Sequence, residues 1–221
     1  MNRNFKILGL TAVSLLALCA VAVAGVSASA FKFKSENGLI TNLTGIQHGT
    51  NVDEWTTDSG TIKCTEAKYE GEQFGAESTE VEIEPVYTGC KIFSFLEVTI
   101  HMNGCAYRLK TVTKENGNFE GSVDIVCPPG TQIEMTLPNC VITVPPQPGL
   151  QKITYTNLGT GTTRERTLDI SLTGITYEED IVAEFSSCTG NGQHTSNGTL
   201  RGALLLTGEN TSHNHIGIWV E

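Results

Sequence analysis

The residues with the clearest chemical meaning in this sequence are six cysteines that follow residue 30. They are Cys64, Cys90, Cys105, Cys127, Cys140 and Cys188. An even set of thiols pairs and persists as disulfide bonds where no cytosolic reductant reaches it. Zinc binding is the other chemistry that cysteines offer, but no two of the six have the close spacing of a zinc knuckle. The cysteines therefore predict three disulfide bonds.

The pairing of the six cysteines is not determined by the sequence, because many connectivities are open to them. Local spacing favours Cys127–Cys140 and Cys64–Cys90, the latter at the ends of two flanking strands, and this leaves Cys105–Cys188 as the third bond. In this set Cys127 and Cys140 flank a Pro-Pro-Gly turn and would clip a hairpin.

Carboxylates are the second group that could do chemistry. Glu82 and Glu84 share one face of an alternating segment, and Glu178, Glu179 and Asp180 are consecutive. Paired carboxyl groups at a set separation hydrolyse glycosidic bonds, and several oxygen ligands together bind calcium. A solvated acidic sheet face explains the same residues more simply, and no repeated Asp/Asn/Gly loop supports calcium. We therefore favour the solvated face.

Histidines and serines give little support for catalysis. The sequence contains no Gly-x-Ser-x-Gly elbow. His213 and His215 would point the same way in an extended segment and form half a metal site, but the residues around them are typical of a polar loop. We predict no metal site and no cofactor.

Aromatic side chains and glycosylation sequons complete the candidates for binding. Four aromatic residues could stack on a sugar, although packing in the core explains them better: Trp55, Tyr87, Tyr107 and Tyr155. Three sequons fit the glycosylation pattern, at Asn42, Asn197 and Asn210. In a bacterial host these sequons would have no such role.

The elements that must position these residues are β-strands. Apolar residues alternate with polar ones, as at Val81, Ile83 and Tyr87, and this is the period of a half-buried strand. Asn103-Gly104 and Asn116-Gly117 suit tight hairpins, so residues 95–127 are predicted to form a three-stranded antiparallel meander. The fold class is therefore all-β, an antiparallel β-sandwich or Greek-key unit of about a dozen strands that disulfides staple.

Domain organisation follows from a proline-rich connector and an N-terminal segment. Residues 144–149 contain three prolines, which cannot donate to a central ladder, so the chain there lies at an edge or between two lobes. Cys188 would be a lone cysteine after such a division, which favours one β-rich domain over residues 31–221. Residues 1–30 are predicted to be a signal peptide.

The signal-peptide interpretation rests on a basic start, an apolar stretch over residues 7–24 and small residues at 28–30. A retained anchor helix is the alternative, because the stretch is long enough to span a bilayer. Lipid attachment at Cys19 is a third option, which the bulky Leu18 disfavours.

The charge balance limits the partners. The chain carries 14 basic and 24 acidic residues, with a formal net charge of −10. Nucleic acids and anionic membrane surfaces need cationic footprints, so neither is an expected partner. The mature chain is also not expected to span a membrane.

The order of several motifs resembles that of a group of secreted, cysteine-containing, β-rich bacterial proteins, of high-GC Gram-positive lineages. The motifs are NVDEWTTDSGTIKC at 51–64, YTGC at 87–90, NGCAY at 103–107, Cys127-Pro128 and Pro145-Pro146-Gln147. The resemblance implies an architecture only. No activity is assigned to the group, so no functional residue is transferred from it.

These observations predict a secreted, extracellular or envelope-associated protein with a structural or binding role and an extracellular or cell-envelope ligand of unknown identity. A secreted polysaccharide hydrolase that uses paired carboxylates is the alternative. An enzyme is the less favoured class, and the sequence identifies no catalytic residue.

Overall fold

The computed structural model of the protein describes residues 31–49, 52–190 and 192–221. The predicted signal peptide and its alternatives fall on residues 1–30 and lie outside the described residues. The strands are β1 Phe33–Ser35, β2 Ile40–Gln47, β3 Asp53–Thr57, β4 Gly60–Phe74, β5 Glu77–Ser78, β6 Glu80–Ile92, β7 Leu96–His101, β8 Ala106–Glu115, β9 Asn118–Val126, β10 Ile133–Leu137, β11 Cys140–Val144, β12 Gln147–Leu158, β13 Glu165–Ile181, β14 Gln193–Glu209, β15 His215–Ile216 and β16 Ile218–Val220. One 3-10 turn spans Gly161–Thr163.

The large sheet closes on itself as a ring with eight positions. Four positions are single long strands: β4, β6, β13 and β14. Each of the other four is filled by two consecutive strands in line, namely β2 with β3, β7 with β8, β9 with β10 and β11 with β12. All neighbours pair antiparallel, and β14 returns to pair with β2 and β3. The all-β, antiparallel, disulfide-stapled fold class is confirmed.

The interior of the ring is filled by the inward half of each alternating pattern. On β6, Val81, Ile83 and Tyr87 are buried, whereas Glu82 and Glu84 between them are exposed. The same alternation on the other strands produces one continuous apolar core. Its largest members are aromatic, including Trp55, Tyr69, Tyr107, Tyr155 and Tyr177.

A small three-stranded sheet covers one end of the ring. β1 lies between β16 and β5, so the N-terminal and C-terminal parts of the described chain meet there. Phe33, Ile218 and Val220 point into the core. The side-chain amide of Asn157 on β12 donates to the Val220 carbonyl and its oxygen accepts from the Val220 amide, both at 2.8 Å. These bonds fasten the small sheet to the ring.

The meander predicted over residues 95–127 is correct in its second half and wrong in its first. Asn116-Gly117, with φ values of 50° and 88°, joins β8 to β9 as a hairpin. Asn103-Gly104 also has positive φ values, but it joins two strands that both pair with β6. The turn therefore offsets the chain along one ring position and does not reverse it into a hairpin.

The proline-rich connector joins the end of β11 to the start of β12, and these two strands occupy the same ring position. Prolines lack the amide hydrogen that a ladder needs. The side chain of Gln147 replaces part of the missing ladder, because its amide nitrogen donates to the Thr176 carbonyl at 3.0 Å and its oxygen accepts from the Thr176 amide at 2.8 Å.

The three disulfides correct the preferred pairing. Cys64 and Cys90 are directly opposite on β4 and β6 and form a bond, in agreement with the preferred set. The other bonds are Cys105–Cys127 and Cys140–Cys188, so Cys127–Cys140 and Cys105–Cys188 are wrong. The physical reason is that β10 runs extended between Cys127 and Cys140 and holds them apart. Cys127 instead lies beside Cys105, because Ala106 pairs with Val126.

Three cysteine pairs within bonding distance are compatible with an extracellular location. None of the helical structure in the described part of the chain is long and apolar enough to cross a membrane.

The observed pairing predicts distinct free-thiol counts in two double variants of residues 31–221. Cys105→Ser/Cys127→Ser should show no free thiol after unfolding without reductant, whereas Cys127→Ser/Cys140→Ser should expose two. The thiols are counted by alkylation and mass spectrometry. The reverse result would restore the pairing that spacing favoured. Loss of Cys105–Cys127 should also lower the free energy of unfolding by about 3 kcal/mol, as the loop-entropy relation gives.

An uncompensated charge lies in the core near the small sheet. Arg166 on β13 is fully buried, and its guanidinium carbon is 5.0 Å from the centroid of the Phe33 ring. Its three side-chain nitrogens have no hydrogen-bond partner among the described residues. Burial lowers the pKa of Arg166 to about 10. A buried charge without a partner destabilises the fold.

We therefore expect Arg166→Met to stabilise the protein by about 1 kcal/mol or more, because an apolar chain of similar length removes the desolvation cost. Urea unfolding at neutral pH measures the change. Arg108→Met is the control, since Arg108 is partly exposed in an ion pair and should shift stability by less than about 1 kcal/mol. A less stable Arg166→Met protein would contradict the assignment of a net cost to this charge.

Candidate functional site

A concave groove lies on the outer face of β2, β4 and β6. It has two adjoining parts, of about 510 and 710 Å³, which share Glu70, Glu72 and Glu84. We call it the acidic groove and define it by Asn42, Thr44, Glu70, Glu72, Phe74, Glu80, Glu82, Glu84, Val86 and Glu209.

The register between β4 and β6 places glutamates face to face. Because side chains alternate with period two, Glu70 and Glu72 share the outer face of β4, as Glu82 and Glu84 share that of β6. Glu70 is directly opposite Glu84, and Glu72 is directly opposite Glu82. Residues opposite one another have Cβ atoms about 5 Å apart, and like charges in this arrangement destabilise the sheet. The groove therefore concentrates negative charge at a cost in stability.

Little positive charge offsets these carboxylates. Arg108 on β8 reaches Glu82, with 2.6 Å between Nη2 and Oε1, and lies 3.8 Å from Glu80. The hydrogen bond to Glu82 raises the pKa of Arg108 above its ordinary value. Within the described part of the chain, Glu70, Glu72 and Glu84 have no ion-pair partner.

Two apolar side chains add a second kind of surface to the groove. Phe74 at the end of β4 is 66% exposed and lines the smaller part, and Val86 on β6 is 56% exposed and lines the larger part. The groove can therefore contact a cation and an apolar group at the same time.

The second carboxylate cluster of the sequence has a structural position. Glu179 is buried, and its carboxylate accepts hydrogen bonds from the Ser59 hydroxyl at 2.6 Å, the Ser59 amide at 3.2 Å and the Gly190 amide at 3.0 Å. Glu178 points outward beside His194, with 3.6 Å between carboxylate and ring nitrogen. The strand alternation thus separates the carboxylates of Glu178 and Glu179 onto opposite faces.

The two histidines that could form half a metal site have different partners. Nδ1 of His213 lies 3.3 Å from the Glu209 carboxylate. Nδ1 of His215 lies 2.7 Å from the Thr162 carbonyl, and its Nε2 is 3.4 Å from Glu165. Among the described residues, no group of three or more His, Cys, Asp or Glu side chains could hold a metal ion.

The aromatic residues that could stack on a sugar are all inside the ring. Trp55, Tyr87, Tyr107 and Tyr155 are at most 7% exposed. The hydroxyls of Tyr87 and Tyr107 are 2.8 Å apart, so they satisfy each other within the core. This burial explains the four residues by packing.

A buried carboxyl group, Asp53, is the feature that the sequence reasoning missed. Asp53 on β3 is fully buried, and the Tyr69 hydroxyl donates to its Oδ2 at 2.6 Å. Burial raises the pKa of Asp53 to about 6 against the lowering effect of Tyr69. The sequence signal for this burial is that Asp53, Trp55 and Thr57 are alternate residues of one strand, so they share its inward face. Asp53 does not line the acidic groove.

Comparison with protein-family models, curated proteins and solved structures finds no match for this chain.

The raised pKa of Asp53 predicts that the free energy of unfolding depends on pH. The folded pKa of about 6 exceeds the ordinary value of 3.8, so the folded state holds this proton more tightly. Stability from this group is complete below about pH 4 and is lost as the pH rises through 6. We expect Asp53→Asn to match the wild type near pH 4 and to exceed its free energy of unfolding by up to about 3 kcal/mol at pH 7.

Urea unfolding of both proteins across this range tests the prediction. The control is Asp169→Asn on the exposed face of β13, whose difference from the wild type should stay small at every pH. A constant difference between Asp53→Asn and the wild type from pH 4 to 7 would show that Asp53 has an ordinary pKa in the folded state.

Proposed function

We propose that this protein is a secreted or envelope-associated, disulfide-stabilised β protein that binds a cationic ligand in the acidic groove. The observation that carries the proposal is the direct opposition of Glu70 to Glu84 and of Glu72 to Glu82. The opposed pairs cost stability in the free protein. A ligand that places an ammonium or guanidinium group between the two rows would remove the repulsion and gain charge-assisted hydrogen bonds.

The apolar side chains of the groove narrow the class of ligand. Phe74 and Val86 lie beside the glutamate rows and are mostly exposed. A simple metal cation would leave them in water, whereas a basic peptide can cover them with the apolar stems of its lysine or arginine side chains. A basic polypeptide segment is therefore the favoured ligand. The negative net charge of the chain would speed its approach.

The extracellular part of the proposal is supported by two features. The sequence has a predicted signal peptide over residues 1–30 and an even number of cysteines after it. The three cysteine pairs lie within bonding distance, and each joins parts of the chain that are already neighbours. Bonds of this kind reinforce a fold in media that contain proteases and no thiol reductant.

A polysaccharide hydrolase is the second candidate, because one feature of the groove fits it. Residues directly opposite on neighbouring strands have Cβ atoms about 5 Å apart, and the two carboxyl groups of a retaining glycosidase have about the same separation. Glu82 is already engaged by Arg108, which leaves Glu70 and Glu84 as the freer pair. The binding role remains the favoured proposal, because both carboxylates lie on an open outer face.

Binding of a lysine pentapeptide amide tests the proposal by isothermal titration calorimetry. We expect Glu70→Gln/Glu72→Gln/Glu84→Gln to weaken binding by about tenfold or more, because it removes the opposed charges. The control is Glu36→Gln/Glu97→Gln/Glu115→Gln, which removes the same charge from exposed sites outside the groove. Equal losses in both variants would mean that net charge and not the groove attracts the peptide, and absence of binding by the wild type would reject the proposal.

The same variants distinguish the hydrolase. Turnover of a polysaccharide by the wild type that Glu70→Gln and Glu84→Gln each abolish would establish the enzyme in place of the binding role.

A further inference from the structure

The end of the ring opposite to the small sheet is formed by four connections. They are the turns at 58–59, 93–95 and 138–139 and the longer loop that follows β13 at residue 182. They lie at the same end because neighbouring strands are paired close to them: Ile62 with Ile92, Thr99 with Thr136 and Cys140 with Ile181. The Thr189 amide donates to the Ser59 hydroxyl at 3.0 Å, and the Val182 amide donates to the Asn139 carbonyl at 3.1 Å. Together with Cys140–Cys188, these bonds fix the turns at 58–59 and 138–139 to the loop that follows β13.

This end exposes a group of large apolar side chains, which we call the apolar tip. Phe93 is 52% exposed, Phe95 69% and Phe185 96%, and Val182 beside the last of them is 62% exposed. These residues come from two separate connections that lie at the same end of the ring. Exposed phenylalanines at the ends of turns are unusual, because such positions commonly hold small or polar residues.

The backbone at the apolar tip is strained at two of the phenylalanines, Phe93 and Phe185. Phe93 and Ser94 have φ values of 53° and 68°, and Phe185 has a φ of 60°. Two successive residues at positive φ form the type of hairpin turn that Asn-Gly normally supplies, as Asn116-Gly117 does in this chain. A bulky residue in this conformation costs about 1 kcal/mol or more. Strain that local sequence preference would avoid points to a use for the phenylalanines.

The area of the apolar tip indicates what it contacts. Three phenylalanines exposed to this extent present roughly 400 Å² of apolar surface, given about 200 Å² for each ring side chain. A specific protein interface buries about 800 Å² on each partner, so the tip is too small to hold a second copy or a folded partner by itself. Insertion of separate rings into lipid needs no matching surface, and each Å² removed from water contributes about 25 cal/mol.

Charge selects the kind of lipid surface. Lys91 and Glu97, which flank the turn at 93–95, form an ion pair with 3.4 Å between the ammonium nitrogen and a carboxylate oxygen. Glu184 precedes Phe185 and adds an exposed negative charge, and the whole chain is acidic. Anionic headgroups would repel this end of the molecule. We propose that the apolar tip inserts Phe93, Phe95 and Phe185 into the interface of a zwitterionic lipid bilayer. This proposal is independent of the acidic groove.

Flotation with phosphatidylcholine vesicles tests the proposal on residues 31–221. The variant Phe93→Asn/Phe95→Asn/Phe185→Asn should lose at least about tenfold in the partition coefficient, because the apolar area is removed. Asparagine tolerates positive φ, so the variant should fold and unfold at the same temperature or a higher one. The control is Leu39→Asn/Val112→Thr, which removes exposed apolar side chains away from the tip and should bind as the wild type does.

The remaining outcomes decide between lipid and other occupants. Vesicles that contain phosphatidylglycerol should bind less protein than pure phosphatidylcholine, and high salt should not release the protein from phosphatidylcholine. In Phe185→Trp, the fluorescence of the new indole should shift to shorter wavelength when vesicles are added. A wild type that ignores vesicles, or that binds them equally after the triple substitution, would overturn the proposal. A dimer that only the triple substitution dissociates would assign the tip to a second copy.

Discussion

The rest of the structure depends on the return of β14 to β2 and β3, which closes the hydrogen-bonded sheet into a ring. Closure gives every strand of the ring two partners and leaves no edge among these strands to be covered by other means. It also fixes the meaning of the period-two pattern. Once the ring is closed, each strand has one face that can only point inward and one that can only point to solvent. The same alternation therefore determines both which side chains form the core and which are available for binding on the outer face.

Closure explains why polar groups are trapped in the core. An inward position stays inward whatever residue occupies it, so Asp53 and Arg166 are buried among aromatic side chains. Asp53 finds the Tyr69 hydroxyl, and burial raises its pKa to about 6. Arg166 lies over the face of Phe33, and its side-chain nitrogens have no hydrogen-bond partner in the part of the chain that the structure describes. Neither residue lies at the groove or the tip, so the cost that they impose concerns the stability of the fold.

The sequence predicted what depends on local pattern and failed where long-range neighbours decide. Alternation identified the inward face of β6, and Asn116-Gly117 identified a hairpin. Asn103-Gly104 has the same turn chemistry but joins strands in line, because the partner β6 spans both. Cys64–Cys90 and Cys105–Cys127 each join the chain at strands that pair directly, whereas Cys140–Cys188 depends on the adjacency of β11 and β13. The acidic groove has the same dependence, since Glu82 and Glu84 alone do not reveal Glu70 and Glu72 opposite them.

A filled, closed ring leaves two kinds of place for a binding function, its outer face and its ends. The interior holds side chains, and one end is covered by the small sheet. The outer face can vary freely at every second residue, and there the glutamates of β4 and β6 meet in opposed pairs. The free end can vary in its turns, and there Phe93 and Phe185 occupy backbone conformations that glycine or asparagine would adopt more easily. In both places local stability has been given up where the scaffold does not require it, which is the physical mark expected of surfaces shaped by binding.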